Sequence, residues 1–200
     1  MKSNIYDQAI LEGVATTYPQ TETIIENGKV TGMRASDVQK ILNLKHAWEF
    51  IMDKDVIQAQ TDFYILSYIA GLVNEGFYEQ GGRVRGVPVA ISGSNYVPPI
   101  PNEVNVKEAI LNIISSKLSN IDKAIELCLY FMKTQIFNDG NKRAAVIFAN
   151  HYLISKAGGL LVIPENHVSE FKKLLIGYYE DKDNDEIKDF LRQNCHKKFR

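Results

Sequence analysis

The stretch TQIFNDGNKRAAVIFAN, Thr134–Asn150, places a short polar loop directly before a strongly apolar helix. The segments on either side, 121–134 and 143–154, are apolar on nearly all sides but too short to span a bilayer. They predict two buried helices at the centre of a bundle. A polar loop that contains glycine and joins two buried helices needs an explanation beyond reversal of the chain, so it is the first candidate for a functional site.

The loop carries the residue types of an anion-binding site. Backbone N–H groups and the positive end of the dipole at the start of the following helix attract anions. Gly140 lets the backbone approach a ligand closely, Asn141 can donate to a phosphate oxygen, and Lys142 and Arg143 add positive charge. Asp139 is an oxygen ligand suited to a magnesium ion that bridges phosphates. The alternative is a common Asp-Gly-Asn turn followed by two solvated cations, and the spacing alone leaves both interpretations open.

Length and composition favour one soluble domain. A chain of 200 residues can bury one core. A net charge of −1 and a pI of about 6.4 give no electrostatic case for binding nucleic acid or an anionic membrane. Cys128 and Cys195 follow no disulfide or zinc pattern, and no apolar segment of a signal peptide follows the first lysine. We therefore expect a cytoplasmic protein with no membrane or nucleic-acid partner.

Helical periodicity dominates the rest of the chain and predicts an all-α fold. The predicted helices cover 4–14, 57–74, 105–117, 121–134, 141–157, 165–179 and 184–194, and a helix within 35–54 that Ser36 caps is second in chain order. Ser36 with Gln39 has the pattern of a capping box, and Asn120 or Asp122 can cap the fifth of these helices. The segment 80–100 is rich in Gly, Pro and Val, and it predicts a short β-hairpin or extended flap that ends in the rigid Pro98-Pro99 pair.

Three segments resemble the Fic/Doc (Fido) family. QIFNDGNKR (135–143) resembles its signature, His-x-Phe-x-Asp/Glu-Gly-Asn-Gly/Lys-Arg. RVRGVPVAISGSNYVPPIP (83–101) resembles the flap of the family and the Pro-rich segment after it. LEGVATTYPQTE (11–22) resembles the Glu-Gly segment of members that carry an N-terminal inhibitory helix, with Glu12 as the inhibitory glutamate. The signature is matched at Phe137, Asp139, Gly140, Asn141, Lys142 and Arg143.

The resemblance implies a single Fic domain over 1–200, in which 1–33 form an inhibitory-type helix with its connector and 80–100 form a β-hairpin flap. Such a domain uses ATP with Mg²⁺ and transfers AMP to a Ser, Thr or Tyr hydroxyl of a target protein, whereas the Doc branch transfers a phosphoryl group. The resemblance assigns Asp139 to Mg²⁺ and places the nucleotide phosphates at the loop. It assigns target docking to strand addition at the flap, where the residues are Val87, Val89 and Ile91. The identity of the target, a homo-oligomer and an antitoxin partner are left open.

Two departures from the family pattern concern catalysis. Gln135 occupies the position of the histidine that takes the proton from the attacking hydroxyl. An amide cannot accept that proton near neutral pH, and loss of a general base costs about 10²- to 10⁴-fold in rate. His151 is the nearest histidine along the chain, and we predict a core or surface role for it. Lys142 stands where AMP transferases of the family typically carry glycine and Doc-like kinases carry lysine.

Two further departures concern inhibition. Val146 stands where a second arginine would hold the γ-phosphate and pair with the inhibitory glutamate. Gln8 stands four residues before Glu12, where Ser or Thr is usual. The inhibitory module is thus predicted in outline but without its partner, and a solvated acid at a helix end is the plain alternative for Glu12.

Two functions compete on this sequence. One is an enzyme that transfers AMP, or a phosphoryl group as in the Doc branch, with an activity that is weak or lost because of Gln135. The other is a pseudoenzyme that binds nucleotide or a partner protein without turnover, and Val146 favours it as well. The sequence does not distinguish natural drift at Gln135 from an engineered change, although the second substitution at Val146 favours drift.

Overall fold

The computed structural model describes residues 1–182 and 184–199 and confirms an all-α fold. A 3₁₀ turn, Glu165–His167, leads into the ninth helix, and a π-helical turn, Leu191–Cys195, follows the tenth. Two short antiparallel strands, β1 (Leu160–Leu161) and β2 (His196–Lys197), pair near the C-terminus. The ten α-helices of the described chain are α1 (Lys2–Leu11), α2 (Tyr18–Asn27), α3 (Ala35–Met52), α4 (Lys54–Gln58), α5 (Phe63–Val73), α6 (Glu103–Ser115), α7 (Asn120–Thr134), α8 (Asn141–Ser155), α9 (Val168–Tyr179) and α10 (Asp185–Phe190).

The centre of the bundle is the pair α7 and α8, with α5 and α3 packed against α8. α8 is buried around almost its whole circumference, as its composition predicts. The rings of Phe131 in α7 and Phe148 in α8 meet edge to face with their centroids 5.1 Å apart, and burial of each such side chain contributes about 1.5–3 kcal/mol. The loop between these helices is therefore held at both ends by the core.

The first three helices pack around one another beside this centre. α1 ends as predicted just before Gly13, which adopts a left-handed conformation with φ of 77°. Gln8 of α1 is buried, donates from Nε2 to the carbonyl of Arg143 at 2.9 Å and accepts from Nε1 of Trp48 at 2.9 Å. This side chain fastens α1 to the start of α8.

The capping box predicted at Ser36 is wrong. The N-cap residue of α3 is Arg34, two residues before Ser36, and it provides no side-chain cap. The capping box of the structure lies at the start of α2, where Thr17 Oγ1 accepts from the Gln20 N–H at 3.4 Å and Gln20 Oε1 accepts from the Thr17 N–H at 3.0 Å. α2 (Tyr18–Asn27) lies within the segment that was predicted to be a connector, so this segment contains a second helix.

Two other helix starts also differ from the prediction. α7 is capped by Ser119, whose Oγ accepts from the Asp122 N–H at 3.2 Å, and not by Asn120 or Asp122. The helix predicted over 57–74 is two helices, because Asp62 adopts an extended conformation and caps α5. Several Asn, Asp and Ser residues compete near each start, and the tertiary structure selects one of them.

Of the two forms predicted for 80–100, the β-hairpin is wrong and the flap without strands is found, because the segment consists of turns, bends and irregular chain without strand pairing. Pro88 has no N–H to donate to a partner strand. The carbonyl groups of Val87, Pro98 and Pro99 are instead bound by the guanidinium of Arg85. We keep the name flap for residues 80–100.

The cysteines form no disulfide in the described structure, as their sequence pattern predicts. Cys128 and Cys195 are free and buried. Burial raises the pKa of the Cys195 thiol to about 12 and the pKa of Cys128 further, so both remain protonated at neutral pH. No helix among residues 1–182 and 184–199 is long and apolar enough to cross a membrane.

Candidate functional site

The loop between α7 and α8 is held in shape by Asn141. Asn141 Oδ1 accepts from the Phe137 N–H at 2.9 Å, and its Nδ2 donates to the Phe137 carbonyl at 2.8 Å and to Gln135 Oε1 at 3.1 Å. Phe137 is buried and packs the loop against the core. Both amide hydrogens of Asn141 are thus engaged within the loop. A contact with phosphate would require one of these bonds to open.

Gly140 meets two steric demands at the start of α8. Its φ is 73°, which disfavours residues with a side chain. A Cβ atom at this position would lie 2.7 Å from Oδ1 of Asn74. Asn74 is buried and donates to the carbonyl of Asp139 at 2.9 Å. Sequence reasoning assigned Asn74 only to the end of a helix and missed this support of the loop.

Arg143 lies at the bottom of the site and is 2% exposed. Its Nη1 donates to the carbonyl of Val73 at 2.7 Å and its Nη2 to Asp139 Oδ2 at 2.8 Å. The third neighbour is Glu12, whose Oε2 lies 3.5 Å from Arg143 Nε. Arg143 Nε and Glu12 Oε1 are both buried, and neither has a hydrogen-bond partner among the described residues.

Glu12 therefore has an ionic partner, and the prediction that it had lost one is wrong. The pairing uses Arg143, whereas Val146 packs in the core at 1% exposure. Gln8 brings Glu12 and Arg143 together. Its buried side-chain amide on α1 donates to the carbonyl of Arg143, which places the C-terminus of α1 over the start of α8. A contact between residues 131 positions apart has no signal in sequence spacing.

A cleft of about 570 Å³ lies between this loop, the end of α1, the flap and α9. It brings together five of the predicted site residues, Glu12, Ile91, Gln135, Asp139 and Lys142. The side chains of the other predicted residues do not line it. Its full lining is Leu11, Glu12, Ala90, Ile91, Ser92, Gln135, Asp139, Lys142, Lys172, Leu175, Ile176 and Tyr179.

The flap contributes less to the cleft than predicted, and α9 contributes more. Val87 and Val89 are absent from the lining, and Val87 is 55% exposed. Glu180, the residue that follows α9, bonds to the flap. Its Oε1 accepts from Ser94 Oγ and from the Asn95 N–H, each at 3.1 Å. The approach of α9 depends on such long-range contacts, so its cleft residues could not be identified from the sequence.

Gln135 has a structural role in the position of the motif histidine. It ends α7 with a φ of 50°, and its Nε2 donates to the carbonyl of Met132 at 2.6 Å. The amide thus donates a hydrogen bond to one of the last carbonyl groups of the helix, which have no N–H partner within the helix. His151 does not replace the missing base, because it is buried and bound to Thr61 Oγ1 at 3.0 Å and to the Val56 carbonyl at 2.8 Å. The predicted core role of His151 is confirmed.

Arg85 connects the flap to the loop, and sequence reasoning missed it. Its guanidinium is buried, and no ion pair with a carboxylate is seen within 1–182 and 184–199. Burial accordingly lowers its pKa. The shortest bonds run from Nε to the Gln135 carbonyl at 2.5 Å and from Nη1 to the Val87 carbonyl at 2.7 Å. The acceptors are the carbonyl groups of Val87, Pro98, Pro99, Thr134 and Gln135.

Asp139 is the more exposed of the two carboxylates at the site and the one suited to hold a metal ion. Within the described residues, no group of three or more His, Cys, Asp or Glu side chains could hold a metal. Asp139 is half exposed at the rim of the cleft and pairs with Arg143. This arrangement fits Mg²⁺, which is commonly held by one or two carboxylates together with substrate phosphates and water.

The central part of the chain matches a known family. Residues 60–153 match the model of the Fic/DOC family. This segment is a Fic/DOC-family domain. The matched range contains the flap and the loop with its signature, whereas Glu12 and α9 lie outside it.

Solved structures with the same fold are also Fic proteins. A Fic domain containing signaling protein from Bacteroides thetaiotaomicron has a TM-score of 0.74 at 18% identity, over 96% of this chain and 80% of that chain. Fic-1 (aa134–508) from C. elegans has a TM-score of 0.73 at 19% identity, over 94% and 57%. A Fic family protein from Desulfovibrio desulfuricans G20 has a TM-score of 0.75 at 16% identity, over 96% and 62%.

The chain thus spans less than two thirds of the last two proteins. At these identities the likeness concerns the fold. A comparison with proteins of curated function gave no match.

Proposed function

We propose that this Fic domain binds ATP with Mg²⁺ in the cleft and that its AMP transfer to a protein hydroxyl is weak or lost. The observation that supports binding is the start of α8, which lies beside the cleft with Asp139 and Lys142 at its rim. The first bond of α8 runs from the Ala144 N–H to the Gly140 carbonyl at 2.8 Å. The three N–H groups between them have no acceptor within the helix, and together with the dipole they favour phosphate.

Mg²⁺ would be held by Asp139, and it would neutralise phosphate charge during transfer. Asp139 also pairs with Arg143, so this carboxylate is oriented before a ligand arrives. The loop residues therefore bind and orient a phosphate chain without rearrangement of the core.

The contacts of Gln135 support weak or absent transfer. Its amide is bound to Met132 and Asn141, and it has no basic lone pair with which to take a proton from a hydroxyl. No histidine lines the cleft of the described structure. Burial raises the pKa of Tyr179, the one phenol of the lining, which keeps it protonated. Any remaining transfer would rest on positioning and electrostatic stabilisation.

Glu12 is proposed to oppose nucleotide binding. It occupies the cleft with its carboxylate 3.5 Å from Arg143 Nε, so it covers a cation that phosphate would otherwise reach. Two carboxylates, Glu12 and Asp139, share this one guanidinium. An incoming phosphate would compete with Glu12 for it.

A pseudoenzyme that binds nucleotide or a partner protein without turnover is the second candidate, and the engaged amide of Gln135 favours it. Target docking is proposed at the flap, because Val87, Val89 and Ile91 lie in a segment that forms neither helix nor strand and that a partner strand could join. Phosphoryl transfer in place of AMP transfer is favoured by Lys142 alone.

Calorimetric titration with ATP and Mg²⁺ tests the proposal. We expect binding by the unmodified protein and an approximately tenfold loss in Lys142→Ala, because one charge-assisted bond to phosphate is lost. Lys156→Ala is the matched control, since Lys156 lies at the opposite end of the same helix and is exposed. Absence of binding by the unmodified protein, or equal losses in the two variants, would contradict a phosphate site at the start of α8.

A further inference from the structure

Lys172 is a cation of the cleft that belongs to neither the loop nor the matched Fic segment. It lies on α9 and contributes to the lining of the same cleft as Lys142 at the start of α8. Lys172 is exposed, and no ion pair or hydrogen bond of its ammonium group is seen among the described residues. Its neighbour Lys173 is also exposed but does not line the cleft.

The charges around the cleft leave an excess of positive charge that depends on Lys172. Glu12 and Asp139 are two carboxylates, and they face one guanidinium, that of Arg143, and the two ammonium groups of Lys142 and Lys172. Without Lys172 the set would be neutral. The buried Arg143 is already bound to Val73 and to the two acids, so the two lysines are the cations free to move toward a ligand.

An independent observation indicates that an anion belongs between these groups. Arg143 is almost fully buried, and its Nε lacks a hydrogen-bond acceptor although Glu12 lies nearby. A buried N–H of a charged group without an acceptor is costly. An anionic oxygen that displaced the Glu12 carboxylate would supply that acceptor, in a cleft that both Lys142 and Lys172 line.

We propose that Lys172 is a second phosphate-binding residue, which acts with Lys142 in the same cleft to select ligands by the number of their phosphate groups. This inference rests on the proposed nucleotide binding, and it assigns to α9 a role in the recognition of polyphosphate. A long, flexible ammonium side chain suits contact with the outer phosphates, whereas the N–H groups of α8 are fixed.

The test compares Lys172→Gln with Lys173→Gln in calorimetric titrations with AMP, ATP and inorganic tripolyphosphate, each with Mg²⁺. We expect Lys172→Gln to weaken the binding of ATP and tripolyphosphate about tenfold and that of AMP less than about threefold. Lys173→Gln, which makes the same charge change on the adjacent face, should stay within about twofold of the unmodified protein. Thermal unfolding of both variants checks that the fold is retained.

The outcomes separate this inference from the proposed function. ATP binding that Lys172→Gln leaves unchanged would overturn the role of Lys172 and leave nucleotide binding standing. Tripolyphosphate binding that depends on Lys172, without ATP binding, would support the anion site and overturn the nucleotide. Equal losses in both lysine variants would show a general effect of charge and overturn the inference. Failure of every ligand to bind the unmodified protein would overturn both proposals.

Discussion

Replacement of Arg85 by methionine should destabilise the protein strongly, because one buried side chain binds carbonyl groups from three segments. Its three shortest bonds, at 2.5, 2.7 and 2.7 Å, join it to Gln135, Val87 and Pro99. Hydrogen bonds from charged donors contribute about 1.5–3 kcal/mol each. Removal of a buried cation recovers several kcal/mol of desolvation. The difference gives an expected loss of about 3–5 kcal/mol in the free energy of unfolding.

Lysine at position 85 separates hydrogen bonding from charge. An ammonium group has at most three donors and lacks the planar fork of guanidinium. Arg85→Lys should therefore lose about 2–3 kcal/mol although its charge is unchanged. The matched controls are Arg83→Met and Arg83→Lys, because Arg83 is exposed and bonds only locally to Gln80. Both should stay within about 0.5 kcal/mol of the unmodified protein.

Urea unfolding measures these differences, and the slope of the transition shows whether the same surface is exposed in each variant. An Arg85→Met variant within about 1 kcal/mol of Arg83→Met would refute the argument that the guanidinium holds the flap to the loop. A large loss in Arg85→Met with full retention in Arg85→Lys would show that charge alone is sufficient, and the five-carbonyl geometry would then be incidental.

Three further predictions concern the cleft and the core. Glu12→Gln should raise the affinity for ATP with Mg²⁺ about fivefold in calorimetry, because Arg143 loses an ionic partner at 3.5 Å; unchanged affinity would exclude competition. Gln135→His should raise the transfer of labelled AMP about 100-fold or more, and an inert variant that still binds ATP would show that the base is not the sole defect. Burial lowers the pKa of His151, so the unfolded chain binds its proton first, and stability should fall as pH drops below about 6.5 until the folded state also protonates. His151→Gln should lose this part of the pH dependence in urea unfolding at pH 7.5 and 5, and an identical dependence in the variant would disprove the assignment.

The central helices and their loop could be predicted because their causes are local. Continuous apolar character around 143–154 requires burial on all sides, and the structure buries α8 accordingly. Gly140 was identified as a position where the backbone is approached closely, although the neighbour found there is Asn74.

The parts that sequence reasoning missed depend on contacts between distant segments. The flap pattern of alternating valines predicts strands, but the buried guanidinium of Arg85 competes for the same carbonyl groups. Glu12 and Arg143 meet because Gln8 is bound between two helices far apart in sequence. Lys172 is chemically identical to Lys173, and only the position of α9 distinguishes them.

The attachment of α1 determines how Glu12 could leave the cleft. Undocking of α1 would expose Ile5, Ala9 and Leu11, which are at most 1% exposed, and would break the bonds of Gln8. Rotation of the Glu12 side chain alone exposes none of these residues and leaves the bonds of Gln8 intact. In its proposed role Glu12 would thus give way to a nucleotide by rotation of one side chain, while α1 stays docked.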